Sequence, residues 1–156
     1  MKAKIFYFGN IKTDFINIGI SQYVKWISKY EKLELIQFPL TKNLNKLSPD
    51  EYKKKDYERL INHVKKTDFN IMLDETGKQF TSIEFSKKYS SVKVSEKIDI
   101  NFFIGGPIGH YYESLNNANL IMSLSKMTFT HEMAVLLILE QIYRANKILN
   151  NESYHY

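Results

Sequence analysis

The stretch Ile98-Asp99-Ile100-Asn101-Phe102-Phe103-Ile104 runs directly into Gly105-Gly106-Pro107-Ile108-Gly109. Branched and aromatic residues followed by a glycine cluster predict a strand, Ile98 to Ile104, that stops at a loop. Upstream, Ile5-Phe6-Tyr7-Phe8 ends the same way at Gly9-Asn10, and Leu33 to Phe38 is stopped by Pro39. Phe69 to Leu73 predicts a third strand, entering a turn at Asp74-Glu75-Thr76-Gly77, and Leu120 to Leu124 a short last one. Between these runs the period changes. Phe15, Ile18, Tyr23, Trp26, Ile27 and Tyr30 fall near helical spacing, which predicts a helix over Phe15 to Tyr30. Ser48-Pro49-Asp50-Glu51 offers a capping side chain and then Pro in the first turn, opening a helix to about Lys66. Thr81 or Ser82 caps a short helix through Tyr89, and another short helix ends near Asn119. Thr128-Phe129-Thr130-His131 opens the last helix, to about Leu149. Strands alternating with helices predict an α/β domain with a largely parallel sheet. Ligands in such sheets sit beyond the carboxyl ends of the strands, which selects the loops after Leu73, Ile104 and Leu124.

A chain of 156 residues is expected to form one domain with a sizeable core. Its 44% hydrophobic content, with 11 Tyr and 10 Phe, excludes disorder throughout. Met133 to Leu139 is the longest apolar run, far short of the roughly 18 residues of a membrane span. No signal peptide is legible, and no membrane association is expected. With 0 Cys, disulfides, thiolate metal sites and cysteine nucleophiles are excluded, and a cytoplasmic setting is the simplest expectation. His63, His110, His131 and His155 lack metal-ligand spacing to an acid, so no metal is assigned. The net charge of +5 is a moderate bias towards polyanions. Arg59 and Arg144 are the chain's arginines among 22 basic residues, and arginine is the better group for planar, bidentate contacts.

Several features admit two readings. The glycine loop has neither Walker A nor dinucleotide-binding spacing; it is a tight structural turn or a place where a ligand meets bare backbone. Ser123-Leu124-Ser125-Lys126-Met127-Thr128-Phe129 is an ordinary connection or a backbone cradle for an adenosine-sized ligand. Met133 to Leu139 is apolar on every face, which fits a central core helix or a helix covered on one side by a second copy. Glu140 and Arg144 lie one turn apart and pair on a helix surface. His131 makes a contact at the start of that helix. Ser153-Tyr154-His155-Tyr156 is a frayed tail or a set of groups for stacking on a base. Lys53-Lys54-Lys55, Lys65-Lys66 and Lys87-Lys88 are solvated helix faces or phosphate contacts.

Taken together, several motifs resemble the bacterial ribosomal large-subunit methyltransferase H family of the SPOUT superfamily. They are Gly9-Asn10-Ile11-Lys12, Leu73-Asp74, Phe103-Ile104-Gly105-Gly106, Leu124 to His131, Glu140-Gln141-Ile142-Tyr143-Arg144-Ala145 and Tyr154-His155, in the family's order along nearly the whole chain. The resemblance implies a single SPOUT domain over residues 1–156 with a C-terminal trefoil knot. It implies S-adenosylmethionine held by Leu73, Gly105, Leu124, Ser125, Lys126, Met127, Thr128 and Phe129. It implies a homodimer whose site borrows residues from the partner. The reaction it implies is methylation of a pseudouridine N3 in the helix 69 loop of 23S rRNA, within assembled 70S ribosomes. Arg144, Tyr154 and His155 would then bind the substrate base. Arg144 would stabilise charge and His155 would accept the proton. The chain departs from the family pattern at Val135, where Arg is usual, at Thr130, where Pro is common, at Pro107-Ile108, and at Ser153 and Tyr156 around the tail. Val135 motivates the alternative of a catalytically silent ribosome-binding SPOUT protein. A different α/β enzyme acting on a nucleotide-like ligand is a third reading.

Overall fold

The computed structural model describes residues 2–156, with the side chains of residues 95 and 96 left aside. Its strands are β1 (Lys2–Phe8), β2 (Lys32–Phe38), β3 (Phe69–Gln79), β4 (Ile100–Ile104) and β5 (Leu120–Ser123). Its helices are α1 (Asp14–Ile27), α2 (Pro49–Leu60), α3 (Ser82–Ser90), α4 (Tyr112–Asn116) and α5 (His131–Leu149). The strands form one sheet in the order β2-β1-β4-β3-β5, and every pairing is parallel. Both faces of such a sheet must be covered, and the strand residues sort accordingly. Ile5 and Tyr7, Ile71 and Leu73, and Phe102 and Ile104 join one apolar cluster with α1, α3 and α5. Phe6 and Phe8, Met72 and Phe103 point the other way and pack against Leu60 of α2. Phe6 and Phe103 stack there with ring centroids 4.6 Å apart.

The helix starts follow from local chemistry. Ser48 and Glu51 form a reciprocal capping box at α2, with Pro49 in the first turn, and Thr81 and Glu84 form another at α3. Thr130 caps α5 by accepting the Met133 N–H at 3.2 Å. Some ends differ from the sequence reading. α1 stops at Ile27 and α2 at Leu60, the latter followed by a 3₁₀ turn, Ile61–His63, because neither tail carries further buried apolar positions. Val135, on the inner face of α5, is fully buried. That position faces the core in this chain, so its side chain serves packing and does not reach RNA.

The turn expected at Asp74 to Gly77 is present, but the strand does not end there. Leu73 and Lys78 both pair with Met122, so the intervening residues bulge out and β3 then resumes to Gln79. Asp74 holds the bulge by accepting the backbone N–H and the hydroxyl of Thr76, at 3.0 and 2.6 Å. Gly77 is required at its end. A Cβ there would lie 2.7 Å from the backbone of Ile121 and Met122.

Candidate functional site

The carboxyl ends of β3, β4 and β5 open into a cleft of about 830 Å³. Leu73 ends the straight part of β3 and lines it, as do Ile104, Gly105 and the rest of the glycine loop. Leu124, Ser125, Met127, Thr128 and Phe129 form the facing wall. The loops selected from the sequence therefore converge. Of the residues assigned to the cofactor, Lys126 is exposed and stands outside this lining.

The walls are shaped by short polar links. The Ser123 hydroxyl donates to the Ser125 carbonyl at 2.8 Å, and the Ser125 hydroxyl accepts the Met127 N–H at 3.0 Å. These local bonds explain the mixture of hydroxyl and apolar residues: the hydroxyls turn the chain and leave Leu124, Met127 and Phe129 as walls. The Thr128 hydroxyl donates to Glu75 at 2.9 Å, which fastens this loop to the β3 bulge. On the opposite wall the glycine loop doubles back, with the Gly109 N–H donating to the Gly106 carbonyl at 3.0 Å. Gly109 has φ +89°, a conformation that glycine adopts freely. A Cβ on Gly105 would lie 3.0 Å from the backbone of Gly109 and His110. His110 closes the floor, its Nε2 3.1 Å from the Phe103 carbonyl. Burial lowers its pKa, so the ring is neutral and donates from Nε2.

Behind the glycine loop lies Asp56, 4% exposed. The Thr41 hydroxyl donates to its Oδ1 at 2.6 Å, and Oδ2 has no hydrogen-bond partner. Burial raises its pKa. That Oδ2 is 2.4 Å from where a Cβ on Gly106 would stand, so the acid backs the loop directly.

The first turn of α5 forms the remaining edge through Thr130, His131 and Ala134. His131 also approaches the Asn10 carbonyl, at 3.4 Å. Glu132 accepts the backbone N–H groups of Lys12 and Thr13, at 2.6 and 3.3 Å. These contacts latch the loop after β1 onto the helix.

Arg144, Tyr154 and His155 form a second group. Arg144 donates to Glu140 from Nε and Nη2, at 3.0 and 2.6 Å. Its guanidinium lies over the Tyr154 ring, 4.6 Å from the centroid, and Nη1 is 3.2 Å from His155 Nδ1. A guanidinium can only donate, so His155 Nδ1 accepts and is unprotonated. The Tyr154 hydroxyl donates to Glu140 at 3.2 Å, and burial raises its pKa, which keeps it neutral. Aromatic contacts continue from Tyr154 to Tyr143 and on to Trp26 of α1. This group does not line the cleft. Ten residues of helix, about 15 Å, separate Ala134 from Arg144. The chain thus brings the cofactor candidates other than Lys126 together, and the substrate candidates together, but not the one group with the other.

The sequence reading gives Glu75 only as a turn residue and assigns no role to Asp56 or Glu132. For Asp56 a signal existed, since the buried residues of α2 are Tyr52, Asp56 and Leu60 at a spacing of four. His131 was visible only as a contact at the start of its helix. Among the described residues no group of acids and histidines could hold a metal ion, and no helix is long and apolar enough to cross a membrane.

Residues 1–155 match the family described as "Predicted SPOUT methyltransferase". The chain is 38% identical to the ribosomal RNA large subunit methyltransferase H of Acetivibrio thermocellus, covering 99% of each protein. It is also 38% identical to the protein of that name from Dictyoglomus thermophilum, covering 100% of both. Among solved structures it resembles a probable methylase family protein from Haemophilus influenzae, with TM-score 0.57, 15% identity, and coverage of 99% of this chain and 70% of that one. It also resembles the tRNA (m1G37) methyltransferase from Aquifex aeolicus, with TM-score 0.52, 17% identity, and coverage of 92% and 70%. At such identities the structural likeness speaks to the fold alone.

Proposed function

The chain belongs to the SPOUT methyltransferase family, and from that premise we propose that it methylates N3 of a pseudouridine in the helix 69 loop of 23S rRNA within assembled 70S ribosomes. The coarser part of this reading is established by whole-length relationship: the protein is an rRNA methyltransferase whose methyl donor is S-adenosylmethionine. The nucleotide, the atom and the ribosomal context are the proposal. So are a single domain over residues 1–156, a C-terminal trefoil thread, a homodimer and a cytoplasmic setting.

The observation that carries the cofactor assignment is the meeting of Leu73, Gly105 and the wall from Leu124 to Phe129 around one cleft. These residues fit S-adenosylmethionine. Leu73, Leu124, Met127 and Phe129 offer apolar surface to an adenosine, and the bare backbone at Gly105 allows close approach. When bound there, this cofactor supplies an electrophilic methyl group. The protein's own task is then to align N3, to manage its proton and to steady charge on the uracil carbonyls.

Arg144 suits the last of these roles, as a fixed donor aimed by Glu140 and stacked on Tyr154. Neutral Tyr154 provides a ring face and cannot take the proton. His155 can accept the N3 proton at Nδ1 once the tail residue moves off Arg144 Nη1, which is then free to face a uracil carbonyl. The N3 proton then resides on the imidazole as N3 gains its methyl group. Arg144 lies about 15 Å along α5 from the cleft and His155 sits beside it, so in this reading a second copy presents them to the cleft. The apolar surface supports such a dimer. Phe15 and Ile18 of α1 are 67% and 71% exposed, and Met127 beside the cleft is 75% exposed.

The test is transfer of labelled methyl from S-adenosylmethionine to 70S ribosomes lacking the modification, with free 23S rRNA alongside. Label at N3 of the helix 69 pseudouridine, seen with ribosomes only, is the expected result. Absence of transfer by protein that binds the cofactor and dimerises would overturn this reading in favour of a silent ribosome-binding protein, if it still sediments with ribosomes, or of another acceptor, if it does not.

A further inference from the structure

The proposed chemistry leaves one side of the cleft without a role. Tyr111 and Tyr112 follow the glycine loop and line the rim, next to Lys53 and Asp50 of α2. Tyr111 and Tyr112 have ring centroids 4.4 Å apart, and Tyr57 of α2 is 5.6 Å from Tyr111. Tyr112 is 60% exposed. Its neighbour Tyr111 pushes its pKa up to about 12, so the phenol is neutral at physiological pH. Its hydroxyl donates to Glu113 at 3.3 Å, and most of the side chain is open to solvent.

Lys53 and Asp50 of α2 both line this rim, and among the described residues neither makes a salt bridge. Lys53, Lys54 and Lys55 occupy the adjoining turn of α2, and among the described residues none of them has a carboxylate within salt-bridge distance. Of the other acids nearby, Asp74 is engaged by Thr76, Glu75 by the Thr128 hydroxyl and Glu113 by the Tyr112 hydroxyl. An exposed aromatic ring beside unpaired lysines suits a ligand that carries a π-face and a phosphate on one unit.

We infer that this rim binds an unpaired nucleotide of the rRNA substrate: its base stacks on Tyr112, backed by Tyr111 and Tyr57, and its phosphate meets Lys53. The inference rests on the rRNA methyltransferase reading and extends it to a second contact. Because Arg144, Tyr154 and His155 take the target base in the proposed reaction, the nucleotide at the rim is a neighbour of the target and not the target itself. It fixes the strand entering the site. Stacking tolerates any base, so the rim supplies affinity and register and little sequence preference.

The experiment compares wild type with Tyr112→Ala, Tyr112→Trp and Lys53→Ala in three measurements. These are methyl transfer to unmodified 70S ribosomes, calorimetric affinity for S-adenosylmethionine, and anisotropy of a short fluorescein-labelled single-stranded RNA. Tyr112→Ala is expected to raise KM for ribosomes and weaken the labelled RNA by about tenfold, with kcat and cofactor affinity retained. Tyr112→Trp is expected to restore both. Lys53→Ala is expected to reduce the slope of log affinity against log salt by about 0.7. Weaker cofactor binding by Tyr112→Ala would assign the tyrosines to the cofactor and overturn the inference. Unchanged KM and unchanged RNA binding would also overturn it. If wild type transfers no methyl to ribosomes, the proposed reaction fails, while the labelled RNA still judges the rim.

Discussion

The carboxylate of Glu132 accepts the backbone N–H of Lys12 at 2.6 Å, joining the first turn of α5 to the loop that follows β1. These hydrogen bonds, first from Lys12 and then from Thr13, lower the Glu132 pKa. A carboxyl lowered in the folded state contributes stability that is fully present above its unfolded pKa, about 4.3, and is lost as pH falls through the folded value. Acid melting curves of Glu132→Gln should therefore flatten below about pH 4.3 relative to wild type. At neutral pH the variant should be the less stable of the two. Parallel curves for the two proteins would mean that the latch contributes nothing through ionisation.

Gly77 poses a steric test. Its missing Cβ would stand 2.7 Å from the backbone of β5, where no flexible side chain can give way. Gly77→Ala must therefore push β3 from β5, at a cost of about 1–3 kcal/mol. Denaturant melting should show this loss. Gly19→Ala makes a useful contrast, since there the near atom is the Leu136 Cδ1 at 2.9 Å, on a side chain able to move. The second substitution should cost clearly less than the first.

The alternation of these two periods made the strands and helices legible. Ile5 with Tyr7, and Phe6 with Phe8, mark two buried faces of a strand, and the caps at Ser48, Thr81 and Thr130 mark helix starts. The bulge in β3 was legible only as a turn. A period of two describes which face a residue takes, but not that Leu73 and Lys78 both pair with Met122. Strand order likewise depends on long-range pairing that local pattern does not encode. For the site, the loops after Leu73, Ile104 and Leu124 follow from the parallel sheet, and the distance of Arg144 from them follows from the length of the last helix, whereas the position of the tail does not. Helix length alone places those groups apart, but only the folded chain shows that the tail stays beside Arg144.

Gly105 should separate cofactor binding from folding. Its Cβ would meet backbone at 3.0 Å within the doubled-back glycine loop, and the loop must open slightly to admit it. Gly105→Ala should weaken S-adenosylmethionine by tenfold or more by calorimetry, while the melting temperature falls by only a few degrees, as expected for about 1 kcal/mol. Affinity equal to wild type would remove this loop from the cofactor site.

The distance between the cleft and Arg144 makes subunit mixing the sharpest test of the assembled site. If each site joins one protomer's cleft to its partner's Arg144, then, with S-adenosylmethionine held well below the Gly105→Ala dissociation constant, Gly105→Ala and Arg144→Ala homodimers should each be strongly impaired, for different reasons. Arg144→Ala should still bind the cofactor, because its side chain contacts Glu140, Tyr154 and His155 and does not line the cleft. In a heterodimer of the two variants, one site carries both defects and the other carries neither. Unfolding and reassembling equal amounts makes roughly half the dimers mixed, with one intact site in each. Methyl transfer to ribosomes should then recover to roughly a quarter of the wild-type rate. No recovery, from samples shown to contain mixed dimers, would place Arg144 and the cleft of the same protomer in one site and require the tail to swing about 15 Å towards it.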